Sequence, residues 1–103
     1  MYVQVLVSYD ISDTKKRNKL FEALKDVGLK PIQKSLFWGY ILPSEKRAIK
    51  ELFKIYCDIK IDKALIINAS LDKVIDDTLD KVIDDTFGYD AEDFKHPSGF
   101  EIV

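Results

Sequence analysis

The chain has 103 residues, 47% hydrophobic and 33% charged, which suits one small folded domain and not a disordered chain. Its apolar runs are too short to cross a bilayer, and polar residues interrupt the N-terminus early, so neither a membrane contact nor a signal peptide is expected. The net charge of −2 hides an asymmetry: residues 1–60 carry 12 Lys and Arg against 7 Asp and Glu, whereas residues 61–103 carry 4 against 11, so the first part suits a polyanion.

The first predicted elements are a strand and a helix. Residues 2–10, YVQVLVSYD, alternate apolar and polar side chains, which predicts a strand with one core face. The same alternation puts Asp10 on the wetter face. Ser12 or Asp13 can cap a helix running to about Val27, where a glycine marks its end.

A second set of elements repeats this order. Residues 30–42 predict either one bent strand or two short strands kinked near Ser35, with Gly39 permitting a bulge or the close approach of another backbone. Pro43 begins a second amphipathic helix, and residues 62–70 form another strand. The order indicates an α+β fold with two helices on one face of a mainly antiparallel sheet.

An internal repeat follows the last of these strands. LDKVIDDT at 71–78 recurs unchanged at 79–86, and its apolar residues predict a helix, although the two copies would differ by about 80° in direction. Short strands are expected at 86–90 and 99–103. The chain is thus interpreted as one domain: a core at 1–70, a duplicated helical segment at 71–86, and C-terminal strands with a loop at 87–103.

Asp10 is the first candidate for chemistry. A carboxylate at a strand end, close to a helix start, can hold a hard cation through its oxygens. A single Asp is a poor magnesium site, because that ion prefers about six oxygen ligands. A two-fold axis near Asp10 would supply a second copy. The alternative is a turn or capping residue.

Cations in the first turns of the first helix are the second candidate. Lys15, Lys16, Arg17 and Lys19 oppose the helix macrodipole, which costs up to about 1 kcal/mol each, so stability does not explain them. Together with free backbone N–H groups they would bind phosphate. The alternative is a solvated polar face.

The remaining motifs point less clearly to chemistry. Aromatic side chains in QKSLFWGY suit either stacking on nucleic-acid bases or packing in the core and a dimer interface. His96 is the only histidine, which excludes a two-histidine ribonuclease within one chain. Cys57 excludes an internal disulfide and fits a reducing cytoplasm. The carboxylates of the repeat lack the order of a calcium loop and are interpreted as a solvated face.

Three motifs in order, YDI at 9–11, KKRNKL at 15–20 and QKSLFWG at 33–39, resemble a known family. This family is the small CRISPR-associated nuclease, the second Cas family and partner of the Cas integrase in spacer acquisition. The similarity extends over 1–70, and the repeat resembles a tandem insertion. It implies a ferredoxin-like βαββαβ fold and a homodimer whose open sheet faces pack together.

The resemblance also implies the site. Asp10 of both subunits would be the catalytic residue and the ligand of Mg²⁺ or Mn²⁺ for hydrolysis of RNA or DNA. Tyr9, Ser35 and Phe37 would support it, and the basic residues of the first helix would bind the nucleic acid. Two alternatives remain: a non-catalytic scaffold that bridges integrase dimers on DNA, and a toxin-type ribonuclease on a related ferredoxin-like dimer.

Overall fold

A computed structural model describes residues 1–69, 75–76, 81–82, 86–89 and 93. Its elements, in chain order, are β1 (Val3–Asp10), α1 (Thr14–Val27), β2 (Lys30–Gln33), β3 (Leu36–Ile41), α2 (Pro43–Tyr56), β4 (Lys63–Asn68), β5 (Ile75–Asp76) and β6 (Lys81–Val82). The first four strands form one antiparallel sheet in the order β2-β3-β1-β4. This is the predicted α+β, ferredoxin-like arrangement, with residues 30–42 forming two strands joined by a turn at Lys34 and Ser35.

Both helices cover the same face of the sheet. The core contains the apolar face of β1, residues of β3 and the inner side chains of the helices: Val5, Val7, Tyr9, Leu20, Leu24, Phe37, Ile41 and Ile49. Alternation along β1 leaves Asp10 exposed on the opposite, open face, as predicted. Leu65 and Ile67 are each 49% exposed and alternate with the inward-facing Ile66, so the open face is partly apolar.

Local signals fix the ends of α1. The carboxylate of Asp13 accepts the backbone N–H of Lys16 at 2.8 Å, so the predicted cap is present. Gly28 closes the helix with φ +111°, a conformation that a side chain disfavours. Only three residues separate the end of β1 from the start of α1, which keeps the first turn of the helix beside Asp10.

Gly39 permits close packing between β3 and the chain that follows α1. A Cβ atom built on Gly39 would lie 2.8 Å from Leu29 Cδ2 and 3.4 Å from Leu29 Cα. The predicted close approach is therefore confirmed, since even a methyl group would have to displace the buried Leu29.

The predicted helix over 71–86 is wrong where the structure describes this segment. Ile75 pairs with Val82 and Asp76 with Lys81, so β5 and β6 form an antiparallel pair. The β-branched residues of each copy favour strands. An eight-residue repeat also keeps its faces in a strand of period two, whereas it drifts around a helix. The rest of 71–86 lies outside the described residues.

The predicted strand at 86–90 is also wrong over the described residues 86–89, which form a bend in which Gly88 has φ +82°. Here the Tyr89 hydroxyl donates to the carbonyl of Ile32 at 2.9 Å, which fixes this segment against β2. His96 and the strand predicted at 99–103 lie outside the described residues. In the described part of the chain, no helix is long and apolar enough to cross a membrane.

Candidate functional site

A cavity of about 620 Å³ opens where β1 ends, α1 begins and β2 turns into β3. Four residues predicted from the sequence line it: Tyr9, Asp10, Arg17 and Ser35. Five residues that the sequence analysis did not assign also line it: Ile11, Asn18, Phe21, Glu22 and Lys34. A carboxylate, an arginine and a serine hydroxyl from three different elements therefore meet in one solvent-accessible space.

Asp10 is the exposed carboxylate of this cavity. In the β1–β4 ladder it stands directly across from Lys63, so the two Cβ atoms are neighbours on the open face. Its side chain accepts no hydrogen bond from another described residue. The carboxylate is therefore available to a cation or to a substrate.

Tyr9 anchors the wall of the cavity that the β2–β3 turn provides. Its backbone N–H donates to the carbonyl of Ser35 at 3.2 Å, and its hydroxyl donates to the carbonyl of Lys34 at 3.5 Å. Burial raises the pKa of the Tyr9 phenol, and the nearby Arg17 opposes that shift only partly. Tyr9 is therefore neutral at physiological pH and acts through position.

Phe37 lies beneath the site and makes no contact with solvent. Its ring packs edge-on against Phe21, with centroids 5.1 Å apart, and against Tyr9 at 6.2 Å. The resemblance grouped Phe37 with the site residues. The structure makes it a core residue that supports two residues of the cavity wall.

The guanidinium of Arg17 is held in place from two sides. Nη1 donates to the carbonyl of Ile11 at 3.1 Å, and Nη2 donates to the hydroxyl of Thr14 at 3.2 Å. Ile11 follows Asp10 directly in the chain. These bonds therefore fix the arginine relative to the strand end and leave its other N–H groups for an anion.

The basic residues of α1 do not form a single site. Successive residues of a helix are about 100° apart, so a cluster in the sequence spreads around the helix. Lys15 and Lys19 line a second cavity of about 440 Å³ with Tyr56 of α2. Lys16 is exposed and lines neither cavity. Of the four predicted cations, only Arg17 reaches the Asp10 cavity.

Asp62, which the sequence analysis did not identify, stabilises the loop after β1. Its carboxylate accepts the backbone N–H of Ser12 at 3.0 Å and that of Asp58 at 2.8 Å. The hydrogen bond from the N–H of Asp58, and to a smaller extent that from the N–H of Ser12, hold the pKa of Asp62 below its usual value. The only signal in the sequence is an aspartate-rich loop between a helix and a strand.

The oxygen ligands at this cavity are of the right type for Mg²⁺ or Mn²⁺ but too few. Among the described residues, no three His, Cys, Asp or Glu side chains gather closely enough to hold a metal ion. Asp10 and Glu22 both line the cavity, and Ser35 adds a hydroxyl. One chain thus provides part of a six-oxygen shell, and a complete site needs ligands from water, substrate or another chain.

Comparison with known proteins shows what this chain is similar to. A family model described as CRISPR associated protein Cas2 matches residues 1–86, so the similarity continues beyond residue 70 and through the repeat. A protein from Francisella tularensis subsp. novicida, named CRISPR-associated endoribonuclease Cas2 1, is 38% identical over 92 residues, covering 89% of this chain and 87% of the relative.

Two solved structures share the fold. The hypothetical protein TT1823 from Thermus thermophilus has a TM-score of 0.62 and 26% identity, with 68% of this chain and 84% of that chain covered. Cas2 from Streptococcus pyogenes has a TM-score of 0.60 and 24% identity, with 67% and 88% covered. These likenesses concern the fold.

Proposed function

The chain belongs to the Cas2 family of CRISPR-associated proteins, and from this premise we propose that it is a metal-dependent endonuclease that hydrolyses phosphodiester bonds of RNA. The observation that carries the proposal is the open cavity in which the exposed Asp10 carboxylate meets the fixed guanidinium of Arg17. The name of the Francisella relative, an endoribonuclease, supports RNA as the substrate class.

Asp10 is the proposed ligand of Mg²⁺ or Mn²⁺. When bound, such an ion polarises the phosphate and lowers the pKa of a coordinated water. Asp10 supplies negative charge to hold the ion, and Ser35 supplies a hydroxyl at the same cavity. Burial raises the pKa of the Tyr9 phenol, so we assign Tyr9 a positioning role and not that of a general base.

Arg17 is the proposed phosphate-binding residue. Its bonds to Ile11 and Thr14 orient the guanidinium before substrate arrives, so little conformational entropy is lost on binding. The remaining N–H groups can fork onto phosphate oxygens. The arginine also offsets the repulsion between the phosphate and the Asp10 carboxylate.

A homodimer is proposed to complete the metal site. Asp10 shares the open face of the sheet with Leu65 and Ile67, which are each 49% exposed. Burial of these apolar side chains against a second subunit would favour association through this face. A two-fold axis across this face would place the same patch against itself and present Asp10 from both subunits. The second carboxylate would supply the ligand that one chain lacks.

We further propose that the protein acts with the Cas integrase in spacer acquisition, in the cytoplasm. This part of the proposal rests on family membership. The same dimer would then hold DNA between integrase dimers. That scaffold role needs the basic residues and not the chemistry of Asp10. The two roles are therefore separable by substitution.

The test compares wild type with Asp10→Asn on fluorescent RNA and DNA oligonucleotides, with Mg²⁺, with Mn²⁺ and with chelator. Glu51→Gln is the control, because it removes the same charge from an exposed helix position whose ion pair, within the described residues, is with Lys54. We expect RNA cleavage that needs metal, disappears in Asp10→Asn and persists in Glu51→Gln. Cleavage that survives in Asp10→Asn contradicts the assignment of Asp10. Salt-sensitive binding without cleavage by wild type favours the scaffold.

A further inference from the structure

The turn between β2 and β3 carries a lysine to which neither the motifs nor the family comparison assigns a role. Lys34 is exposed and lines the same cavity as Asp10. Its ammonium group has no hydrogen bond or ion pair with any residue in the described part of the chain. Three N–H donors and a full positive charge are therefore free at the edge of the proposed active site.

The position of Lys34 is fixed although its side chain is long. Tyr9 contacts the turn twice, through its backbone N–H to the carbonyl of Ser35 and through its hydroxyl to the carbonyl of Lys34. Tyr9 is buried and precedes Asp10 in the chain. The root of the lysine is thus anchored to the residue next to the carboxylate, whereas its flexible stem can follow a ligand.

Lys34 and Arg17 come from different walls of the cavity. Arg17 belongs to α1 and already donates from both terminal nitrogens to the protein. Asp10 and Glu22 add two negative charges to the lining, which would repel a phosphate unless more than one cation offset them. A second cation on the turn balances the charge of the cavity.

We propose that Lys34 is a second phosphate-binding residue of this site, which contacts the backbone of a single nucleic-acid strand lying between α1 and the β2–β3 turn. The inference rests on the proposed function. A lysine acts on phosphate as a point charge, so the contact adds affinity for any sequence. The strand would therefore be held at one phosphate by Arg17 and at another by Lys34.

The experiment measures binding of a fluorescent 20-nucleotide RNA between 0.05 and 0.4 M salt in the absence of divalent metal. The loss of one phosphate contact on a single strand makes the negative slope of log affinity against log salt shallower by about 0.7. If both proteins bind equally at 1 M salt, Lys34→Gln should bind RNA about 8-fold more weakly than wild type at 0.05 M and about 3-fold more weakly at 0.2 M. Lys34→Arg should keep the wild-type slope.

Lys50→Gln is the matched control, since Lys50 is equally an exposed lysine but belongs to α2 and lines neither cavity. If wild type binds RNA and the salt slopes of Lys34→Gln and Lys50→Gln are equal, the role of Lys34 is overturned, and the proposed function is not. Loss of binding in Lys34→Arg as well overturns that role too, because the charge is then not the cause. Failure of wild type to bind RNA both without divalent metal and with Mg²⁺ rejects the proposed function itself.

Discussion

Replacing Phe37 with Leu should reduce stability and leave nucleic-acid binding unchanged. The family resemblance groups Phe37 with the site, and loss of function in a Phe37 variant is easily taken as loss of a substrate contact. In the structure the ring is fully buried below Tyr9 and Phe21. A group with no exposed surface cannot touch a nucleic acid.

The size of the effect follows from the two ring contacts. Leu restores most of the buried apolar area but neither aromatic pair, and such pairs contribute about 0.5–1.5 kcal/mol each. The pair with Phe21, at 5.1 Å, is close, whereas that with Tyr9, at 6.2 Å, is near the limit, so we expect a loss of roughly 1–2 kcal/mol. For a domain of this size the melting temperature should fall by about 5–15 °C.

The assay has two parts, both at one protein concentration because a dimer makes unfolding concentration-dependent. Thermal unfolding followed by circular dichroism gives the loss of stability. RNA binding is then measured at least 20 °C below the new midpoint, where both proteins are folded. Binding that falls sharply in Phe37→Leu while the melting temperature is unchanged would refute the account and return Phe37 to the substrate surface.

Three further predictions concern single residues. Gly39→Ala should lower the free energy of unfolding by about 1–3 kcal/mol in urea, because its methyl group meets Leu29; an unchanged value would mean that Leu29 moves away freely. Asp62→Asn should have a lower free energy of unfolding than wild type above about pH 4. This difference should vanish as the pH falls through the lowered pKa of Asp62. A constant difference between about pH 2.5 and 6 would contradict the hydrogen bonds to Asp62. Arg17→Lys should weaken RNA binding at constant charge, since a lysine cannot hold Ile11 and Thr14 while also binding phosphate; wild-type affinity would show that only the charge matters.

The sequence predicted the core of the fold well because its signals are local. Alternation in residues 2–10 was enough to separate the core face of β1 from the face of Asp10, and Asp13 marked the start of α1. The helix predicted for the segment after β4 was wrong because the helical and strand periods compete within LDKVIDDT. Apolar spacing alone favoured a helix, whereas the β-branched residues of the repeat pair as strands at 75–76 and 81–82.

The site was predicted less completely, because it depends on contacts between distant parts of the chain. Asp10 and Arg17 lie near each other in the sequence, and both line the cavity. Lys34 reaches the cavity only because β3 pairs with β1, and Asp62 reaches Ser12 across 50 positions. The basic residues of α1 are adjacent in the sequence but line different cavities, because successive residues of a helix point in different directions.

In the proposed homodimer, Asp10 of both subunits binds one shared metal ion. Mixing wild-type and Asp10→Asn subunits at fixed total protein, with time to exchange, tests it directly. If one active site needs both carboxylates, the initial rate of RNA cleavage follows the square of the wild-type fraction, so an equal mixture retains about a quarter of the activity. A linear fall, with about half of the activity in the equal mixture, would mean that each Asp10 works alone and would contradict the shared site.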